Sequence, residues 1–325
     1  MTRSMFSAAV VLAAGMFLAV CAAPAVAQFK DGEVGGAKLG VAQAHKWQVG
    51  VKVAAVGGPC KGIVGYVPVP TEWPEQTVKV AAQEVSPGVK ISYQTLDEGV
   101  RIMVVHIPLI QTNEELKALM TFEVTRSMQL PPPDPAAFVL PEGKQLGAEI
   151  RRYLGASPKI EIGDPKIRKA AKEVGASQEK AWQRVEALYD WVRQQVKYKT
   201  GDPLRGAAGA LKEGVGGHDD MTSLFVAVCR AAGIPARTVW VPEFSYAEFY
   251  LVDKKGEGHW IPCAPAGTRT FGEMPDTKPI LMKGDNFRPP YNNRERQRFL
   301  KEFLTGTPAR NGGQPRVQFV RQMVN

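Results

Sequence analysis

Three side chains in one stretch of the chain are of types that could do chemistry: His218, Asp219 and Asp220, within "GVGGHDDMTSLFVAVCRAAGIPAR" at residues 214–237. The glycine-rich turn followed by a long apolar run predicts a helix that begins at the histidine. Free backbone N–H groups and the helix dipole favour negative charge at such a terminus. An imidazole placed there is a nucleophile or general base only if a carboxylate orients it. Asp219 and Asp220 follow it directly but diverge by about 100° per residue around a helix. A metal would need further ligands. Cys229 lies on the same helix about 16 Å away at 1.5 Å per residue, and His259 and Cys263, on an extended segment, are about 13 Å apart. These spacings predict no metal site and no bound cofactor. The plainest reading of His218 is structural, a neutral imidazole filling a slot, with Asp219 and Asp220 complementing the dipole.

Alternation and helical periodicity supply the elements that must hold these residues. Trp47, Val49, Val51 and Val53 alternate along one strand face, and the same period of two recurs in "QTVKVAAQEV", "GVRIMVVHIPLI" and "KALMTFEV". The clusters "GGPCKG", "SPGV" and "LDEG" read as turns between them. An antiparallel, sandwich-like β domain is therefore expected over 46–128, preceded by a flexible lead at 28–45. The prolines of "LPPPDPAAFVLPEG" predict a linker or strap at 129–146. Beyond it, Trp182, Val185, Tyr189, Val192 and Val196 form a helical stripe with Ser177 as its expected N-cap. A shorter helix ending at Gly214, the helix from His218, and strands "PARTVWV", "YAEFYLVD" and "HWIP" complete an α+β domain over 147–285. Residues 286–325 form a basic C-terminal segment.

The order of these pieces from Ile167 to Gly267 resembles the transglutaminase-like superfamily, the papain-type fold of cysteine proteases, amidases and acyl transferases. The resemblance rests on "GVGGHDD", "CRAAGIPAR", "FSYAEFYL" and "WIPCAP". It implies a thiolate at the helix N-terminus, a histidine on the next strand and an aspartate on the strand after that. Carried across, those positions hold His218, Phe244 and Ala264, so the family's thiol mechanism is not expected. Ser245 is no base, and Cys263 precedes the aspartate position by one residue, which points it to the opposite strand face. The expected cleft residues are His218, Asp219, Asp220, Ser245, Glu248, His259, Trp260 and Cys263. Glu248 lies between Tyr246 and Tyr250 on an apolar strand, where an unpaired acid is costly, and Arg237 is its natural partner. Cys229 reads as a small core residue. Together these readings describe a non-catalytic pseudoenzyme with a binding or scaffolding role. The alternative is a hydrolase or acyl transferase with a relocated site around Cys263 and His259.

Composition sets the remaining bounds. Arg3, the apolar run "FSAAVVLAAGMFLAV" and "AVA" at 25–27 read as a signal peptide cleaved after Ala27, which predicts a periplasmic or extracellular protein. Cys21 offers a lipidation alternative, although Val20 is bulky for the residue before a lipidated cysteine. The remaining cysteines, Cys60, Cys229 and Cys263, are odd in number, which argues against a disulfide framework. Residues 286–325 carry eight Lys/Arg against Glu295 and Glu302, part of a formal charge of +9. That excess suits a solvated face or attachment to an acidic surface. It does not suit nucleic acid, because the charges are not interleaved with aromatics on a binding motif. No later stretch is long and apolar enough to span a bilayer. A peptide or cell-envelope component is the expected partner, and nothing in the sequence sets an oligomeric state.

Overall fold

A computed structural model describes residues 33–34, 37–96, 99–144, 146–201, 203–292, 294–309 and 312–324. The expected signal peptide, its cleavage site and Cys21 lie outside the described residues. The β region is a sandwich of two antiparallel sheets. Strand β1 (Ala37–Ala55) pairs with β6 (Glu115–Leu130), which pairs in turn with β3 (Gln76–Val85). The facing sheet contains β2 (Cys60–Val69), β4 (Lys90–Thr95) and β5 (Arg101–Ile110), with β5 between the other two. Val49, Val51 and Val53 of β1 and Ile63, Ile102 and Phe122 are all buried in one cluster between the sheets. Gly50 has φ +154°, and a Cβ there would lie 2.0 Å from the Ala118 carbonyl oxygen, so only glycine lets β1 and β6 approach at this point.

Several boundaries differ from the sequence reading. The supposed lead is strand from Ala37, because β6 extends far enough to pair with it. Strands β2 and β4 were hidden by the glycines and prolines of "CKGIVGYVPV" and by the shortness of "KISYQT". The proline-rich stretch is a docked strap, not a linker. Val139 exchanges backbone hydrogen bonds with Val252, and Phe138 is buried among the helices. The basic C-terminal segment also joins the sandwich. Strand β10 (Phe303–Pro308) pairs with β2, and β11 (Pro315–Val324) pairs with β1 from Lys46 to Ala55.

The second layer packs helices α1 (Pro165–Glu173), α2 (Ala181–Gln195), α3 (Ala207–Glu213) and α4 (His218–Ala231) on a sheet of β7 (Ala236–Val241), β8 (Phe244–Val252) and β9 (Gly258–Ala264). Asp164 caps α1 by accepting from the Lys166 and Ile167 amides. Ser177 does not cap α2; Lys180 occupies that position, and the Ser177 hydroxyl donates to the Val174 carbonyl. Helix α3 ends on Gly214, left-handed at φ 69°, and the turn that follows delivers the chain to α4. Helix α4 touches β7, β8 and the other three helices, so residues 220–230 are all buried. This explains why the sequence there has no polar face. Trp240, Leu281, Met282 and Phe287 pack into the sandwich cluster, and Gly32–Asn325 form one compact unit. The two regions expected to fold as separate domains thus share apolar core.

Candidate functional site

Strand β8 and the N-terminus of α4 converge at one edge of the second layer. Gly217 is the N-cap and His218 the first helical residue. Asp220 is buried, and its carboxylate accepts from three backbone amides: Arg205 at 2.7 Å, Gly206 at 2.9 Å and Gly217 at 3.2 Å. It staples the preceding loop to the helix and has no exposed surface for a ligand. Asp219 accepts the Ser245 hydroxyl at 2.6 Å, and Arg298 reaches its other oxygen at 3.4 Å. Asp220 is thus enclosed by the fold, whereas Asp219, although held by Ser245 and Arg298, is still partly exposed at the cavity.

The His218 ring lies among rings. Its centroid is 4.8 Å from Tyr198 and 5.4 Å from Phe244, and its Cε1 would meet a Cβ at Gly267 at 3.9 Å. Its Nδ1 is buried and makes no hydrogen bond among the described residues. Burial lowers the imidazole pKa below the ordinary value, Asp219 opposes that shift, and Lys278 adds to it. The ring is therefore neutral at pH 7. Phe244 and Ala264 pack against the same small cluster of Val239, Val241, Tyr246, Met274 and Ile280.

A central helix whose N-terminus meets an antiparallel sheet is an arrangement found in other proteins. The model of the transglutaminase-like superfamily matches residues 168–265. That segment is a transglutaminase-like domain. A solved structure of a candidate cysteine protease from Cytophaga hutchinsonii superposes with a TM-score of 0.52 at 18% identity, covering 88% of this chain and 93% of that one. At that identity the likeness is one of fold, and it extends over the sandwich as well as the transglutaminase-like domain. A candidate protease from Parabacteroides distasonis shares 15% identity with a TM-score of 0.28, over 74% of this chain and 48% of that one. Among curated proteins, no sequence matches the chain.

Other expected cleft residues of the transglutaminase-like domain lie away from His218. Cys263 is fully buried on the strand face toward α4, with Cys229 close enough to affect it. Burial raises both thiols far above the ordinary range. Ala264, one residue on, faces the Phe244 cluster, as strand alternation requires. His259 bonds Asp253 at 2.9 Å and meets the edge of Phe138, so the structure does not assemble a Cys263–His259 pair. Asp253, Glu257 and His259 do bring ligand atoms within 4.8 Å of one another, on the β8–β9 turn. This contact is a carboxylate–imidazole hydrogen bond at an exposed hairpin. Trp260 lies under the Arg237 guanidinium at 4.1 Å, far along β9 from Ala264. Cys60, Cys229 and Cys263 are all buried free thiols.

Glu248 is a fully buried acid held by two cations. Arg237 pairs with it at 2.6 Å, as expected, and so does Lys283, also at 2.6 Å. Lys283 pairs in turn with Glu75 at 2.5 Å, so a chain of four alternating charges, buried except at its half-buried Arg237 end, runs from β7 into the sandwich. Burial opposes ionisation of Glu248, but Arg237 and Lys283 together outweigh it and hold the carboxyl at about 2. Sequence reasoning missed Lys283 and Glu75, which no local pattern connects to position 248.

It also missed Arg298. This side chain comes from the C-terminal segment, is buried, stacks over Trp240 at 4.6 Å, and donates to the Asp219 carbonyl at 2.8 Å and the Ser223 hydroxyl at 2.7 Å. It forms one wall of a cavity of about 880 Å³ that opens beside Asp219 and Phe244 and extends to β11. No helix among the described residues is long and apolar enough to cross a membrane.

Proposed function

We propose that this protein is an exported, non-catalytic member of the transglutaminase-like group that binds a peptide or cell-envelope component in the cleft beside α4. The observation that carries this reading is the surroundings of His218. Aromatic rings flank it on two sides, and neither carboxylate next to it in sequence orients it, because Asp219 is engaged by Ser245 and Arg298 and Asp220 by backbone amides. A neutral imidazole with no second base or acid has no partner to take a proton from a nucleophile or give one to a leaving amine. A cavity lined by its neighbours Asp219 and Phe244, though not by His218 itself, supplies a recess suited to a ligand.

The test is an assay of the purified chain for amide hydrolysis and amine transfer, beside His218→Ala and Cys263→Ala. No turnover above the uncatalysed rate is expected in any of the three. Turnover abolished by His218→Ala would make the histidine a nucleophile or base, and turnover lost only in Cys263→Ala would favour the relocated site.

A further inference from the structure

The lining of the large cavity is apolar at its walls and unbalanced in charge. Trp240 and Phe299 meet edge to face at 5.0 Å, and Trp47 and Met323 lie beside them. Of the charged groups that line it, Arg298 pairs with Asp219, Arg321 with Glu302, and Glu243 with Lys278. The ammonium of Lys301 has no ion-pair partner among the described residues and is exposed. Two buried donors in the lining, Trp47 Nε1 and Arg298 Nε, also find no acceptor among the described residues, and no buried side-chain acceptor of the lining is left over in the same way there. Donors thus exceed acceptors, and one positive charge is uncompensated.

One wall is β11, which pairs with β1 on one side and with nothing on the other among the described residues. Its outward backbone groups need polar partners, whereas the Gln322 amide already donates to Gln48 and the Gln297 side-chain oxygen accepts from Tyr291. A hydrocarbon tail would leave those backbone groups unsatisfied, whereas a peptide backbone matches them.

We propose that this cavity receives the C-terminal end of a peptide, with the free α-carboxylate beside Lys301 and an apolar last side chain against Trp240 and Phe299. This inference rests on the binding role proposed above and narrows it to one ligand chemistry. Capture of a chain end by a cation beside exposed backbone groups requires no movement of the α4 terminus, and it leaves Asp219 in its bond with Ser245.

The experiment is a calorimetric titration of the full chain with acetyl-Ala-Ala-Phe-Phe as the free acid, the same peptide as its C-terminal amide, and laurate. The acid is expected to bind about fivefold more tightly than the amide, a preference of the size one exposed charge supplies. Lys301→Gln should abolish the preference and Lys301→Arg should keep it, with unchanged circular dichroism in both. Equal binding of acid and amide would overturn the carboxylate inference while leaving a peptide-binding cleft in place. Binding of laurate alone, or of nothing up to about 1 mM, a range that already includes weak complexes, would overturn both. Turnover in the hydrolysis assay would overturn the non-catalytic role whatever the peptides did.

Discussion

Replacing Glu248 with glutamine removes the buried inner charge from a chain of four while preserving side-chain shape. Lys283 would then keep Glu75 as its counter-charge, while half-buried Arg237 would lose the carboxylate it pairs with, beside a buried Glu75–Lys283 pair. A carboxyl held at about 2 in the folded chain, against roughly 4.3 when unfolded, corresponds to about 3 kcal/mol of stability at pH 7. Removing one member of a buried pair typically costs about 3–5 kcal/mol, so the two arguments agree. Because the folded value is the lower one, this stabilisation is complete above the unfolded value and disappears as pH falls through the folded value. Urea unfolding at pH 7 should therefore show Glu248→Gln less stable by about 3–5 kcal/mol, and the gap should narrow as pH approaches 2. The exposed pair Glu84–Lys117, also at 2.6 Å, serves as the control, and Glu84→Gln should leave the unfolding midpoint where it is. A Glu248→Gln protein as stable as the parent, or a gap that does not change with pH, would refute the reasoning.

Asp220→Ala leaves three backbone amides without their acceptor. It should cost about 1–3 kcal/mol and speed hydrogen exchange at Gly206 and Gly217; unchanged exchange would count against the staple. The imidazole of His218 should titrate below the ordinary histidine value, followed by NMR at Cε1. Protonation then opposes folding, so stability should fall as pH drops below the ordinary value toward the folded one, and His218→Gln should lack that loss. Mature protein recovered from an export-competent host should begin at Gln28; a lipid-modified Cys21 would place it on a membrane surface instead.

The sequence made the transglutaminase-like core legible because its signals are local. The α4 pattern, the end of the short helix at Gly214 and the "GIPAR" strand entry each depend on neighbours within a few residues, and all three stand in the structure. Strand alternation placed Cys263 and Ala264 on opposite faces without knowledge of the fold. Long-range placement was not legible. Arg298 meets the start of α4 only because β10 and β11 return to the sandwich, and nothing in "RERQRFLKEF" announces that its third arginine is buried. The same return turned an apparent basic tail into two strands. Lys283 reads as a surface residue until β7 pairs with it opposite Val239 and brings it to Glu248. Strand β2 was lost because glycine and proline lower strand propensity, although pairing on both sides compensates for it in the sheet.

The central claim is that the thiol mechanism has no counterpart in this cleft. That mechanism cannot proceed without a covalent acyl-enzyme, so intact-mass spectrometry after incubation with an activated acyl ester tests the claim most directly. With Cys229 and Cys263 fully buried and His218 without an orienting acid, the native chain should show no mass increase. A stoichiometric acyl adduct mapped to Cys263 or His218 would contradict the account.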